Sequence, residues 1–179
     1  NGRGDLTAMA NPAGSQWSWT YNVLGRQIRS VTPESGTHTS SYYPAGDLKT
    51  STDNAANSLT FTYDALDRKT GEFAGTRTSG VELAAWTYDT AGFWDGQAAG
   101  GPTGQVKGQP ATATRYVGGV AGQPGTGTAY ATSVDAYDVT YQPTSKTTAL
   151  PAGVLSATPS TFTTTYGYAP NGLLAVYTD

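Results

Sequence analysis

An all-β chain of antiparallel hairpin repeats is the fold class that this sequence predicts, on three observations. Its 179 residues include 30 threonines, 12 tyrosines and 23 glycines, types that favour strands and punctuate turns, while the good helix formers Lys, Glu, Leu and Met are sparse. Tyr21, Tyr42 and Tyr63 recur every 21 residues, the mark of a repeat architecture. Four positions after each tyrosine stands a glycine or a residue that tolerates the same backbone. The best helical window, Val81 to Trp86, is too short to stand as a helix.

Residues 1–16 read as an N-terminal extension, and residues 17–92 as the regular repeats. The first reads Trp19-Thr20-Tyr21-Asn22-Val23-Leu24-Gly25-Arg26, the third Phe61-Thr62-Tyr63-Asp64-Ala65-Leu66-Asp67-Arg68. Four residues beginning at the Asx form a type I turn with glycine last. The Asx side chain accepts from a backbone N–H two residues on, and so starts the reversal. The glycine takes positive φ and completes a G1-bulge hairpin. The turn residues are therefore Tyr21, Asn22 and Gly25; Tyr42 and Gly46; Tyr63, Asp64 and Asp67; Tyr88, Asp89 and Gly92. Further on come Tyr137 with Asp138, and Tyr168 with Gly172. Asp67 replaces glycine, and Asp tolerates the left-handed region. Pro44 and Pro170 stand where the Asp is missing and pre-set the same turn.

Upstream of each turn the aromatic residues alternate. Trp17, Trp19 and Tyr21 share one side of a strand, as do Leu59, Phe61 and Tyr63, and Ala84, Trp86 and Tyr88. Such stripes predict the packed face of a sheet, with successive hairpins side by side. Residues 93–128 break the period. Gly/Pro-rich loops at 93–112 and 118–128 flank a strand expected near Thr114 to Val117. Degenerate repeats fill 129–179, with strand-like sequence from Tyr130 to Tyr141. There Tyr141 stands where glycine belongs, so a different turn is expected. Nothing in the sequence marks a domain boundary.

Composition excludes several function classes. A formal net charge of −3 and ten scattered Lys+Arg form no basic stripe for nucleic acid. With no cysteine, disulfides, thiolate metal sites and a Cys nucleophile drop out. No apolar stretch reaches the length of a membrane span, and no signal peptide opens these residues. Asn1 in place of methionine points to a processed or excised piece.

The strings YNVLGR, YDALDR and YDTAG at roughly 21-residue spacing resemble the Rhs/YD-repeat family. The later stretches TRYVGG, YDVTYQPTSKTTALPAG and FTTTYGYAPNG are similar to actinobacterial Rhs-repeat proteins. The resemblance covers about residues 17 to 175. It implies a long sheet, curved or spiralled into a hollow shell, as in bacterial polymorphic toxins, insecticidal toxin complexes and teneurins. In the bacterial members the shell encloses a toxic C-terminal domain. The family's DPxGL-like self-cleavage motif and a toxin domain are both missing here, so the resemblance implies a wall segment. Its partners would be the remaining Rhs repeats and a toxin payload, and its location secreted or cell surface.

His38 is the one histidine, which leaves no credible Ser-His-Asp triad. Asp64 with Asp67, and Asp135 with Asp138, stand three apart and could hold Ca²⁺ or act as glycosidase acid and base. Turn capping explains the first pair, and a solvated strand end suits Asp135. Arg3-Gly4-Asp5 spells an adhesion tripeptide at the terminus. GGVAGQPGTG lacks the Gly-Lys-Ser/Thr of a phosphate loop. Trp17, Trp19, Trp86 and Trp94 could stack on sugar rings, which makes a carbohydrate-binding or adhesive module the second reading. No enzyme activity and no cofactor are expected.

Overall fold

The computed structural model describes residues 1–93, 106–154 and 160–179. Strands, bends and turns account for the ordered elements, with no helix among the described residues. The chain divides into two compact units, residues 1–81 and 82–179, a boundary that the sequence did not announce.

Unit 1 is a ladder in chain order. Its strands are β1 (Ala8–Ala10), β2 (Gln16–Tyr21), β3 (Gln27–Thr32), β4 (Gly36–Tyr42), β5 (Leu48–Thr52), β6 (Ser58–Tyr63) and β7 (Lys69–Ala74). Each pairs antiparallel with the next. The stretch expected to be an extension thus already contains a strand of the ladder. Phe61 and Phe73 are the buried apolar side chains of this unit. Gly71 lets the Phe73 ring lie down: a Cβ on Gly71 would meet that ring at 2.8 Å and Thr62 Oγ1 at 2.7 Å. Lys69 Nζ stands over the Phe61 ring at 4.5 Å while bonding Glu72 at 2.8 Å.

Unit 2 takes in β8 (Val81–Tyr88) from its second residue on, so the best helical window lies within a strand. There follow β9 (Gly92–Phe93), β10 (Pro110–Val117), β11 (Thr128–Tyr137), β12 (Pro143–Ala149), β13 (Thr161–Tyr168) and β14 (Leu174–Thr178). β8 pairs β10, and from β10 to β14 each strand pairs antiparallel with its successor. β9 instead runs parallel to β11, Gly92 facing Ala136. The strand expected near Thr114 begins earlier, at Pro110, and the segment from Tyr130 to Tyr141 splits into the end of β11 and a turn. Ala91, Val106, Ala111 and Tyr137 form a small buried cluster with Val134 packed against it. Glu82 is also buried, and its carboxylate accepts from Gly125 N at 2.6 Å, anchoring the glycine-rich 118–127 loop.

Candidate functional site

The recurring feature of both units is a five-residue turn with one backbone pattern. The first residue's N–H donates to the carbonyl of the fifth, and the fourth residue's N–H donates back to the first carbonyl. The turns opening at Asn11, Asn22, Tyr43, Asp53, Asp64, Asp138 and Ala169 all show both bonds, at 2.8–3.1 Å. The turn opening at Asn1 has the same pair, with its terminal amine as donor to Asp5 O. At Asn1, Asn22, Asp53, Asp64 and Asp138 the side-chain Oδ1 accepts from the N–H groups two and four residues on, and at Asn11 from that of Ser15, four on. Asn22 takes Leu24 and Arg26; Asp64 takes Leu66 and Arg68; Asp138 takes Thr140 and Gln142. At Tyr43 and Ala169 the following Pro44 and Pro170 hold φ instead.

The fourth residue of each turn lies at positive φ. Gly25, Gly46 and Gly172 occupy it, and Asp67 at 59°. Ala56 and Tyr141 occupy it as well, at 64° and 63°. The expectation of a different turn after Tyr137 is therefore corrected. The backbone bonds Asp138 N to Gln142 O and Tyr141 N to Asp138 O are those of every other repeat, and a tyrosine is held in the left-handed region to keep them. The fourth repeat needs a second correction. Gly92 lies in β9, and Asp89 itself has φ of 67°. Asp89 N donates to Gln109 O, Asp89 Oδ1 accepts from Gly108 N at 2.6 Å, and Gly108 has φ of 84°. Gly108 does the work expected of Gly92, after a long insertion within one turn.

Four of the repeat tyrosines link one hairpin to its predecessor. Tyr21 Oη donates to Leu6 O at 3.0 Å, Tyr42 to Gln27 O at 2.8 Å, Tyr137 to Pro110 O at 2.8 Å and Tyr168 to Pro143 O at 2.8 Å. In each case the acceptor is the first residue after the preceding turn. The strand register follows this frame at four joints. Two residues beyond the first post-turn residue pairs with three residues before the tyrosine at Ala8–Ser18, Arg29–Thr39, Thr50–Thr60 and Ser145–Thr165, while at the Tyr137 joint Thr112 pairs with Ser133, four residues before the tyrosine. Side chains at the fifth turn position add a second link. Arg26 Nη1 reaches Tyr43 O at 3.1 Å with its guanidinium over the Tyr42 ring, and Gln142 Nε2 reaches Gly172 O at 2.8 Å.

The remaining candidates do not gather into a catalytic site. Asp64 is committed on both oxygens, its Oδ2 meeting the Arg68 guanidinium at 2.7 Å, while Asp67 points out at the turn. Asp135 is not at a strand end. It is the extra residue of a bulge in β11 and accepts from Ser133, Ser145 and Thr147 hydroxyls at 2.6, 3.3 and 2.7 Å. Among the described residues no three His, Asp or Glu side chains cluster to hold a metal. His38 faces Ser30 in the β3–β4 ladder. Arg3-Gly4-Asp5 closes the turn that opens at Asn1, so the tripeptide is part of the repeat geometry.

Trp17, Trp19 and Trp86 are half-buried and do not join the core, contrary to the packed-face expectation. The Trp17 indole N–H donates to Glu34 at 3.2 Å. Trp86 lines a small hollow of about 190 Å³ with Tyr88, Pro110 and Lys146, and Trp94 lies outside the described residues. A groove of about 820 Å³ lies in unit 1 along β5 and β6, where Tyr43, Asp47, Lys49, Tyr63, Asp67 and Arg77 bring both charge signs together.

Electrostatics follow the turns. Donation from the Arg68 side chain, then from backbone N–H groups, holds the Asp64 carboxyl below its ordinary value. Asn57 does the same for Asp53. At Asp138 burial works upward, yet the bonds from Gln142 and Thr140 outweigh it and the carboxyl is lowered. Burial pushes the phenols of Tyr137 and Tyr168 up.

Stacked hairpins, linked by a tyrosine and capped by one turn, define a protein whose repeated feature is the joint between successive hairpins. In sequence, residues 1–38 match the RHS Repeat model, in line with the resemblance to the Rhs/YD-repeat family. No curated protein matches it in sequence. Among solved structures, the fold is similar to that of TcdB2-TccC3 without its hypervariable C-terminal region, with a TM-score of 0.61 at 13% identity over 91% of this chain. The Photorhabdus luminescens Tc holotoxin pore gives 0.60 at the same identity and coverage. The chain spans 8% of the length of those toxin chains.

Proposed function

We propose that these residues are a structural wall segment of an Rhs-type shell that encapsulates or displays a toxin payload, without catalysis of their own. The observation that carries this reading is the inter-hairpin register, kept in both units. A fold whose invariant is the joint between repeats is suited to extension, and in such repeats each unit is stabilised mainly by its neighbours. The partners are the remaining Rhs repeats and a toxin domain of the same polypeptide or complex, in a secreted or cell-surface setting. The fold likeness to a toxin with a hypervariable C-terminal region supports the payload.

Protease protection tests the enclosing role in the gene product that carries these residues. A payload inside the wall resists added protease until mild urea opens the shell; one cleaved equally fast before and after sinks the reading. The chain is also expected to turn over no glycan or peptide. A hydrolysis that vanished on a single substitution would contradict the structural role.

A further inference from the structure

In unit 2 the strands β8, β10, β11 and β12 lie side by side in that order. Alternation puts Trp86 and Tyr88 on one face of β8. Ala113 of β10 faces Trp86 on one side and Thr132 of β11 on the other, and Val134 of β11 faces Lys146 of β12. A methyl group thus stands in register beside an indole. That step in height leaves the hollow of about 190 Å³ which these side chains help to line. An enclosed apolar cavity of about 150 Å³ admits benzene, so the hollow has room for one six-membered ring with a small substituent.

Its charge is as selective as its size. Of the described residues that line the hollow, Lys146 alone is charged. That lysine is half-buried and forms no ion pair among the described residues, and its Nζ lies 5.6 Å from the centroid of the Tyr166 ring. Asp135, the acid next to Val134, is taken up by the hydroxyls of Ser133, Ser145 and Thr147. A lysine stem lies along apolar surface and carries its ammonium to the rim, and here the ammonium has no counter-ion. A cationic ligand would be repelled by it, and an inorganic anion would leave the apolar walls unused. Flat rings gain against Trp and Tyr beyond the area that they bury. We propose that the hollow binds a monocyclic aromatic carboxylate, with its ring beside Trp86 and Tyr88 and its carboxylate on Lys146 Nζ. This site goes beyond the wall reading and does not depend on it.

Sodium benzoate titrated into the full chain tests this, read by tryptophan emission and by the NMR signals of the benzoate itself. Saturable binding in the millimolar range is expected for so small a ligand in an open site. Lys146→Met keeps the apolar stem and removes the charge. It should weaken benzoate about tenfold, the loss expected for one hydrogen bond to a charged group, and leave benzamide unchanged. Ala113→Leu fills the hollow from an exposed position and should abolish binding. On the unaltered chain, cyclohexanecarboxylate should bind roughly threefold weaker than benzoate, because it lacks the flat ring. No saturation, a Lys146→Met or Ala113→Leu chain that binds benzoate as its parent does, or cyclohexanecarboxylate binding as tightly as benzoate overturns the proposal. Acetate that displaces benzoate at equal concentration would reduce the site to a bare ammonium and overturn it as well.

Discussion

Unit 1 and unit 2 solve the same joint under different constraints. In unit 1 the turns are evenly spaced, and the tyrosines of Tyr21 and Tyr42 each reach back 15 residues to their acceptor carbonyls. In unit 2 loops have been inserted, and Tyr137 and Tyr168 reach back 27 and 25 residues to equivalent carbonyls. Loop length costs little free energy, since closure entropy grows only logarithmically. What these four joints hold constant is thus the bond from the tyrosine hydroxyl to the first carbonyl after the preceding turn, and the 21-residue spacing is its shortest expression. The units differ in how the joint is supported. Unit 1 relies on Phe61 and Phe73 and on links between turns; unit 2 buries Tyr137 itself, with Ala91, Val106 and Ala111 around it.

That contrast ranks the expected effects of mutation. Tyr137→Ala removes a buried ring and its bond to Pro110, and should cost about 3–5 kcal/mol. Urea unfolding read by tryptophan emission checks it, because Trp17 and Trp19 report unit 1 and Trp86 reports unit 2. A loss confined to the unit 1 signal would break the assignment. Gly71→Ala should cost about 1–3 kcal/mol through crowding of the Phe73 ring, and here the unit 1 signal should move. Tyr42→Phe and Tyr168→Phe each delete one hydroxyl bond. If the joint is the same device in both units, each shifts stability by about 1 kcal/mol; a shift in one alone would show that the joints are unequal.

Tyr141→Gly should act in the opposite direction. Relief of left-handed strain, on the order of 1 kcal/mol, outweighs the entropy that glycine adds to the unfolded chain, so the urea midpoint should rise. A fall would mean that the exposed Tyr141 ring makes a contribution of its own. The smallest effect is pH dependence. The Asp53, Asp64 and Asp138 carboxyls are lowered below the ordinary aspartate value of 3.8 in the fold. Their contribution is therefore complete above the ordinary carboxylate range and fades as pH falls below 3.8 through the lowered values. Turn amides followed by hydrogen exchange should lose protection at acid pH first in these turns, while the proline turns at Tyr43 and Ala169 hold.

Much of this was legible because turn chemistry is local. Asn22 with Gly25, and Pro170 with Gly172, announce their turns from residue type alone. The turns at Asn11 and Asp53 escaped notice because they lie at the far ends of the hairpins, where no tyrosine marks them. Ala56 and Tyr141 carry no sign of a left-handed backbone; tertiary pairing imposes it. Gly108 was hidden by the insertion that separates it from Asp89. The joint itself could not be read, since its acceptor is a main-chain carbonyl with no side-chain identity, as Leu6, Gln27, Pro110 and Pro143 illustrate. The tryptophan stripes misled for a related reason. Alternation places Trp17 and Trp19 on one face, but what covers a face depends on neighbours that a single strand does not encode.

Light scattering on a sizing column, followed by urea unfolding of these 179 residues, tests the wall assignment most directly. A segment stabilised by its neighbours should form edge-driven oligomers or unfold over a shallow transition, its two units parting at different urea concentrations. A strict monomer with one steep transition would mean that the residues close their own core, and would contradict the wall.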